Sequence, residues 1–314
     1  MLQQCFALVA DPAEVDPGLL STVAGVLQIQ VSRDFAQAPP QGWGISATVV
    51  AAPVGHSSPN GSIPIYITSK VSDPSAFGYH TAQNGQPLAV VQLVPEPAQW
   101  AFYASHELLE MLVDPFGKTL HPGPSIDPQR QGTPVSYLVE VCDPVQDPRL
   151  GYTINGFLVS NFVLQSFYQP QLSGSRYDFA GRLSGPLSLA PGGCITWGDS
   201  QVGRWIQYAY GDAQVSEGPA LGSPPPGMSA REFVHGELGR HLRSEPLPLD
   251  VISDLSSERR LLERAREHEL EPALKWLELH QHTNRPGRRP RARRNALAGA
   301  RTRPTVDSVR GDSC

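Results

Sequence analysis

Ser105-His106-Glu107-Leu108-Leu109-Glu110 sets three ionisable or cation-binding side chains into an otherwise apolar segment. That segment, residues 97–113, begins after Pro95 and Pro97, presents Trp100, Phe102, Leu108, Leu109, Met111 and Leu112, and stops at Asp114-Pro115. It therefore reads as a helix. Residues four apart on a helix lie about 40° apart around the axis, so His106 and Glu110 project from one face and can grip a single ion. Acids on a helix suited to burial need partners or a metal, and the segment predicts a buried polar site. The plainer alternative is a buried hydrogen-bonded network without an ion.

Upstream, residues 15–31 repeat Leu19, Leu20, Val23, Val26 and Leu27 at helical spacing behind Asp16-Pro17, a cap and a first-turn proline. Residues 45–51, 63–69 and 88–94 are rich in β-branched side chains and bounded by turn formers, which predicts strands of one small sheet. Downstream, residues 137–142, 152–154 and 157–163 read as short elements, the last two joined as a hairpin at Asn155-Gly156. Proline (31) and glycine (29) favour many short elements over long bundles.

The sequence divides into a metal-binding domain over residues 1–212, a linker over 213–228 containing Pro224-Pro225-Pro226, a helical segment over 229–283, and a disordered basic tail over 284–314. Residues 285–314 hold nine arginines against Asp307 and Asp312, a net of +7, so the rest of the −5 chain carries −12. The body should repel nucleic acid, whereas the tail supports weak, non-specific polyanion contact. Cys5, Cys142, Cys194 and Cys314 are scattered without a C-x-x-C pair, residues 1–10 lack the pattern of a leader, and no run predicts a membrane span. A cytoplasmic protein is expected.

The six residues from Ser105 to Glu110 resemble the metal-binding helix of the zincin metallopeptidases, with Glu110 where the H-E-x-x-H motif has its second histidine. The resemblance implies an α+β fold: a zincin-like domain with a small mixed sheet and a metal-binding active-site helix, spanning about residues 15–170. It implies one divalent ion, zinc first and manganese or iron as alternatives, with His106 and Glu110 as ligands. Glu107 would be the general base for attack of metal-bound water on a peptide or other amide bond. In zincins with a glutamate ligand the third ligand lies downstream, and Glu140-Val141-Cys142-Asp143 is the best match. Glu140 then becomes the third ligand and Asp143 a carboxylate orienting His106, the choice between the two staying open.

Asp114 shares the His106 face but lies roughly 12 Å along the axis, which suits a buttress of the helix end better than a ligand. Tyr79 or His80, before the last strand, could line a cleft, as could Tyr152 or Tyr168. Trp197-Gly198-Asp199-Ser200 reads as a turn rather than a hydrolase nucleophile block, and His235, Glu237 and His241 as an exposed polar helix. Two rival functions stand beside the hydrolase: a non-catalytic metal-binding or scaffold protein that keeps the fold, and a polyanion-binding protein acting through its tail.

Overall fold

Cys5-Phe6-Ala7-Leu8-Val9-Ala10 shows no alternation of polar and apolar residues, yet it lies in a strand, β1 (Gln4–Ala10), inside a five-stranded sheet. Phe6, Ala7 and Leu8 are all fully buried, as in a parallel strand covered on both faces. In this computed structural model residues 4–242 are described apart from 39–41, 58, 70–76, 95–98, 170–171, 173–175, 200–202, 211–214 and 218–220. The helices expected over 256–280 and the basic tail lie outside the described residues.

Helix α1 (Pro17–Ile29) follows β1, with the Asp16 carboxylate accepting the Leu19 N–H at 2.9 Å, and continues as a π-helical segment, Gln30–Phe35. Next come β2 (Ala47–Ala51), β3 (Ile63–Thr68), β4 (Gly78–Gln83) and β5 (Gln86–Gln92). The sheet order is β2-β1-β3-β5-β4, with the first four strands parallel and β4 antiparallel at the edge. Only three of these five strands are expected from apolar pattern. The β4–β5 hairpin turns at Asn84 (φ 52°) and Gly85 (φ 75°), the left-handed pair that a tight hairpin requires.

Register places Leu8, Ile65, Ala89 and His80 in one cross-strand row. All four are buried beneath α2 (Gln99–Val113) and its surroundings, and the adjacent row, Val9, Tyr66, Val90 and Tyr79, faces the other way. Helix α2 packs between this sheet and a hairpin, β8 (Tyr152–Ile154) and β9 (Phe157–Val159), turned at Asn155-Gly156. Ser105 Oγ accepts the Ser160 N–H at 2.6 Å and fixes the helix against that hairpin.

A second five-stranded sheet is antiparallel throughout. It comprises β6 (Leu120–Pro124), β7 (Pro134–Leu138), β10 (Cys194–Asp199), β11 (Arg204–Tyr210) and β12 (Val215–Glu217), in the order β12-β11-β10-β7-β6. A short helix, α3 (Gln165–Tyr168), precedes β10. Trp197-Gly198-Asp199, expected as a turn, lies in β10, where Gly198 leaves room for the Trp205 ring: a Cβ there would sit 3.0 Å from it.

The chain is thus a mixed α+β fold. Structure continues past the boundary expected at residue 212. Val215–Glu217 pair with β11, helix α4 (Ala230–Leu242) follows, and all belong to the unit Met1–Ser253. Among the described residues no helix is long and apolar enough to cross a membrane.

Candidate metal centre

Helix α2 buries His106, Glu107 and Glu110 on the side that meets β4 and the loop after β7. The helical period explains the first contact: His106 Nε2 lies 3.3 Å from Glu110 Oε1, one turn on. The third group arrives from residues 139–143. Asp143–Val145 form a single 3₁₀ turn with Pro144 at its second position, and Asp143 Oδ1 reaches His106 Nε2 at 3.3 Å. His106, Glu110 and Asp143 therefore present three donor atoms within 4.8 Å of one another.

Glu140, expected as the third ligand, is buried beside this trio with its Oε1 3.8 Å from Arg231 Nε. Its backbone carbonyl accepts the Tyr168 hydroxyl at 3.1 Å. Asp114 closes the helix, its carboxylate accepting the N–H groups of Lys118 (2.9 Å) and Thr119 (2.8 Å). Its backbone carbonyl, not its side chain, touches the cluster, 3.2 Å from His80 Nε2.

His80 enters from β4, with Nδ1 3.0 Å from Glu107 Oε2 and 3.7 Å from Glu110 Oε2. Gly78, two residues earlier, leaves space for Glu107: a Cβ there would lie 3.0 Å from Oε1. Tyr79 is carried to the opposite face by strand alternation. Tyr152 donates to Asp34 Oδ2 at 2.9 Å and packs on Phe179, so it ties the β8–β9 hairpin to the π-helical segment after α1 instead of lining a cleft.

The residue that sequence reasoning misses is Arg231, 97% buried at the start of α4. Its Nη2 donates to Glu110 Oε2 at 2.6 Å, its Nη1 lies 2.7 Å from His80 Nε2, and Glu107 Oε2 is 4.0 Å away. Two devices seat it. Ser229 and Glu232 form a capping box, Glu232 N–H to Ser229 Oγ and Ser229 N–H to Glu232 Oε2, each 3.1 Å, and Thr81 Oγ1 donates to Glu232 Oε1 at 3.0 Å. Gly117 (φ +61°) lets the helix approach, since a Cβ there would stand 2.6 Å from Arg231 Cβ. The Ser-x-x-Glu box was a readable helix start; its docking partner, 121 residues away at Glu110, was not.

Burial opposes every charge here, and the neighbours decide which survive. Glu110 is held well below the usual carboxylate range against that burial by Arg231 and His106. Glu107 is lowered by the His80 hydrogen bond and by His106 despite burial. Burial and Arg231 lower His80, whereas Glu110 and Asp143 overcome burial to hold His106 well above the ordinary imidazole value. Burial raises Asp143 to about 7, helped by Glu110 and Glu140. It raises Glu140 to about 7 against Arg231, with Glu110 adding to the rise. The cluster thus holds more carboxylate than its own cations neutralise.

A pH dependence follows for the metal-free protein. Asp143, Glu140 and His106 keep protons in the folded state that the unfolded chain releases at its lower, ordinary pKa values. Their contribution is complete below those values and is lost as pH rises through about 7 and beyond. Glu107 and Glu110, being lowered, act only in more acidic solution. Tm in the presence of a chelator is expected to fall by on the order of 5 °C between about pH 5 and about pH 8. A Tm that rises across this window contradicts the arrangement.

Comparison with protein-family models, with curated proteins and with solved structures finds no match to this chain. Two surface depressions among the described residues lie elsewhere, one by Val9, Tyr66, Tyr79 and Val90 on the outer sheet face and one by Glu14, Leu19, Leu93 and Trp100. Solvent reaches the cluster at its His106 and Asp143 side, where the side chains are 11% and 8% exposed.

Proposed function

We propose that this chain is a metal-dependent hydrolase with a zincin-like domain, binding one divalent cation through His106, Glu110 and Asp143 and cleaving a peptide or other amide bond. The observation that carries this reading is a pair of distances. A tetrahedral zinc with ligands at about 2.0–2.1 Å holds neighbouring donor atoms about 3.3 Å apart, and His106 Nε2 lies 3.3 Å from both Glu110 Oε1 and Asp143 Oδ1. A histidine with two carboxylates suits zinc, and equally manganese or iron. When bound, the ion would supply Lewis acidity and lower the pKa of water at the open position.

The chain's own groups supply the rest. Glu107 is the proton acceptor, kept ionised and aimed by His80 Nδ1–H at 3.0 Å, and it returns the proton to the leaving amine. Cys142 N–H, 3.4 Å from Glu110 Oε1, and the Cys142 thiol on the His106 carbonyl at 3.7 Å steady the two α2 ligands. Cys142 and Cys194 are free thiols against this cluster, which suits a reducing cytoplasm.

Elemental analysis after dialysis tests the reading. Wild type should retain about one equivalent of zinc, manganese or iron. His106→Ala, Glu110→Ala and Asp143→Asn should lose it, and Glu140→Gln should keep it. Retention in Asp143→Asn with loss in Glu140→Gln would restore Glu140 as the third ligand, and no metal in wild type even after reloading sinks the hydrolase.

One observation favours a second reading, a metal-binding protein without turnover: Arg231, itself buried, covers the Glu107 side of the cluster.

A further inference from the structure

Glu110 faces two ways. Its Oε1 belongs to the trio with His106 and Asp143, while its Oε2 lies 3.7 Å from His80 Nδ1 and 2.6 Å from Arg231 Nη2. His80, Glu107 and Glu110 form a second set of donor atoms within 4.8 Å of one another, all three residues buried. Two cation positions that share one carboxylate are the arrangement of two-metal hydrolases, where the ions sit about 3.5–4 Å apart. Beside the second set stands a cation belonging to the chain itself, the guanidinium of Arg231.

We infer that His80, Glu107 and Glu110 form a second divalent-cation position, which the guanidinium of Arg231 holds closed, so that removing Arg231 converts a one-metal site into a two-metal site bridged by Glu110. The inference rests on the proposed metal centre.

The argument turns on His80. Its Nε2 has two neighbours of opposite kind, the Asp114 carbonyl at 3.2 Å, which can only accept, and Arg231 Nη1 at 2.7 Å, which can only donate. With Arg231 donating, Nε2 carries the lone pair and Nδ1 the proton. That proton points at Glu107 Oε2, so the nitrogen cannot bind a metal. Without Arg231, Nε2–H turns to the Asp114 carbonyl, the support that metal-bound histidines characteristically have, and Nδ1 presents its lone pair towards Glu107 and Glu110. The same change removes a fixed positive charge 2.6 Å from Glu110 and 4.0 Å from Glu107. Arg231 therefore excludes a second ion twice, by charge and by setting the tautomer.

The test counts manganese and zinc equivalents per chain after loading and desalting, in wild type, Arg231→Ala, Arg231→Lys and the double variant Arg231→Ala/His80→Ala. Arg231→Gln, which keeps an amide donor for Glu110, is run alongside in case the alanine variant does not fold. The expected counts are one in wild type and in Arg231→Lys, two in Arg231→Ala and Arg231→Gln, and one again in the double variant. Manganese-loaded Arg231→Ala should give an exchange-coupled paramagnetic resonance spectrum and wild type an isolated-ion spectrum. One equivalent in wild type and in both neutral variants overturns this inference and leaves the metal centre standing. None in any variant overturns both. None in wild type with one in Arg231→Ala places the guanidinium over the first position and also overturns it.

Discussion

Glu107→Gln is expected to lower amide hydrolysis by about 10²–10⁴-fold, the usual worth of a positioned general base, while metal content stays at the wild-type level. Glutamine keeps the shape and an oxygen to accept the His80 Nδ1 proton, so the 3.0 Å contact and the pocket left by Gly78 survive. What it lacks is the ability to take a proton. In the metal-free protein the carboxylate in its place is held below its ordinary range despite burial, by the His80 hydrogen bond and the charge of His106; a bound cation would replace that charge and favour the accepting form in the same direction. Metal analysis and turnover on the same preparation separate three results. Turnover lost with metal retained supports the base. Turnover unchanged removes Glu107 from the chemistry, and metal lost together with turnover makes Glu107 a ligand.

How much of this site the sequence could reveal depends on how each residue reaches it. His106, Glu107 and Glu110 share one helix, and helical period alone brings the first and last together, so they were legible. Asp143 and Glu140 share an irregular segment in which no period says which carboxylate turns inward. The segment could be named by resemblance, but the 3₁₀ turn at Pro144 that aims Asp143 at His106 had to be seen. His80 needed a register: Tyr79-His80-Thr81-Ala82-Gln83 has no apolar alternation, and only the Asn84-Gly85 turn announced a strand pairing with β5. Once that pairing is known, alternation sends His80 in and Tyr79 out. Arg231 carried no local signal of its role, because its purpose is to balance carboxylates more than a hundred residues away.

The same logic governs β1 and the second sheet. Apolar strands buried on both faces, such as residues 5–10, lack the alternation that identifies a half-exposed strand. The strands of the second sheet contain Gly198, Gly123 and Pro122, residue types that locally favour turns. Their pairing partners supply the reason those residues sit in strands, and pairing is a long-range fact.

Glu110→Ala should be the most destabilising single change at the site, costing about 3–5 kcal/mol by the precedent of removing one partner from a buried ion pair. Glu110 is fully buried and touches His106 through Oε1 and Arg231 through Oε2. Alanine leaves both cations buried without the carboxylate between them. Part of the loss is recoverable, because Glu140 and Asp143, each held near 7 partly by repulsion from Glu110, would ionise more readily once it is gone. Of these two, Glu140 forms the closer contact with the guanidinium, but its Oε1 is 3.8 Å from Arg231 Nε where Glu110 stands at 2.6 Å, so the compensation should be incomplete. Glu140→Gln, which removes a group already half-protonated near neutrality, should cost far less. Denaturant melts of both variants without metal check the ranking, and a loss below about 1 kcal/mol for Glu110→Ala would mean that water reaches the cations it leaves. Melts repeated with zinc or manganese separate the structural role from the ligand role. Excess metal should raise wild-type stability by about 2.7 kcal/mol at a hundredfold excess over Kd, and should do nothing for Glu110→Ala, whose donor set has lost the carboxylate shared by both proposed cation positions.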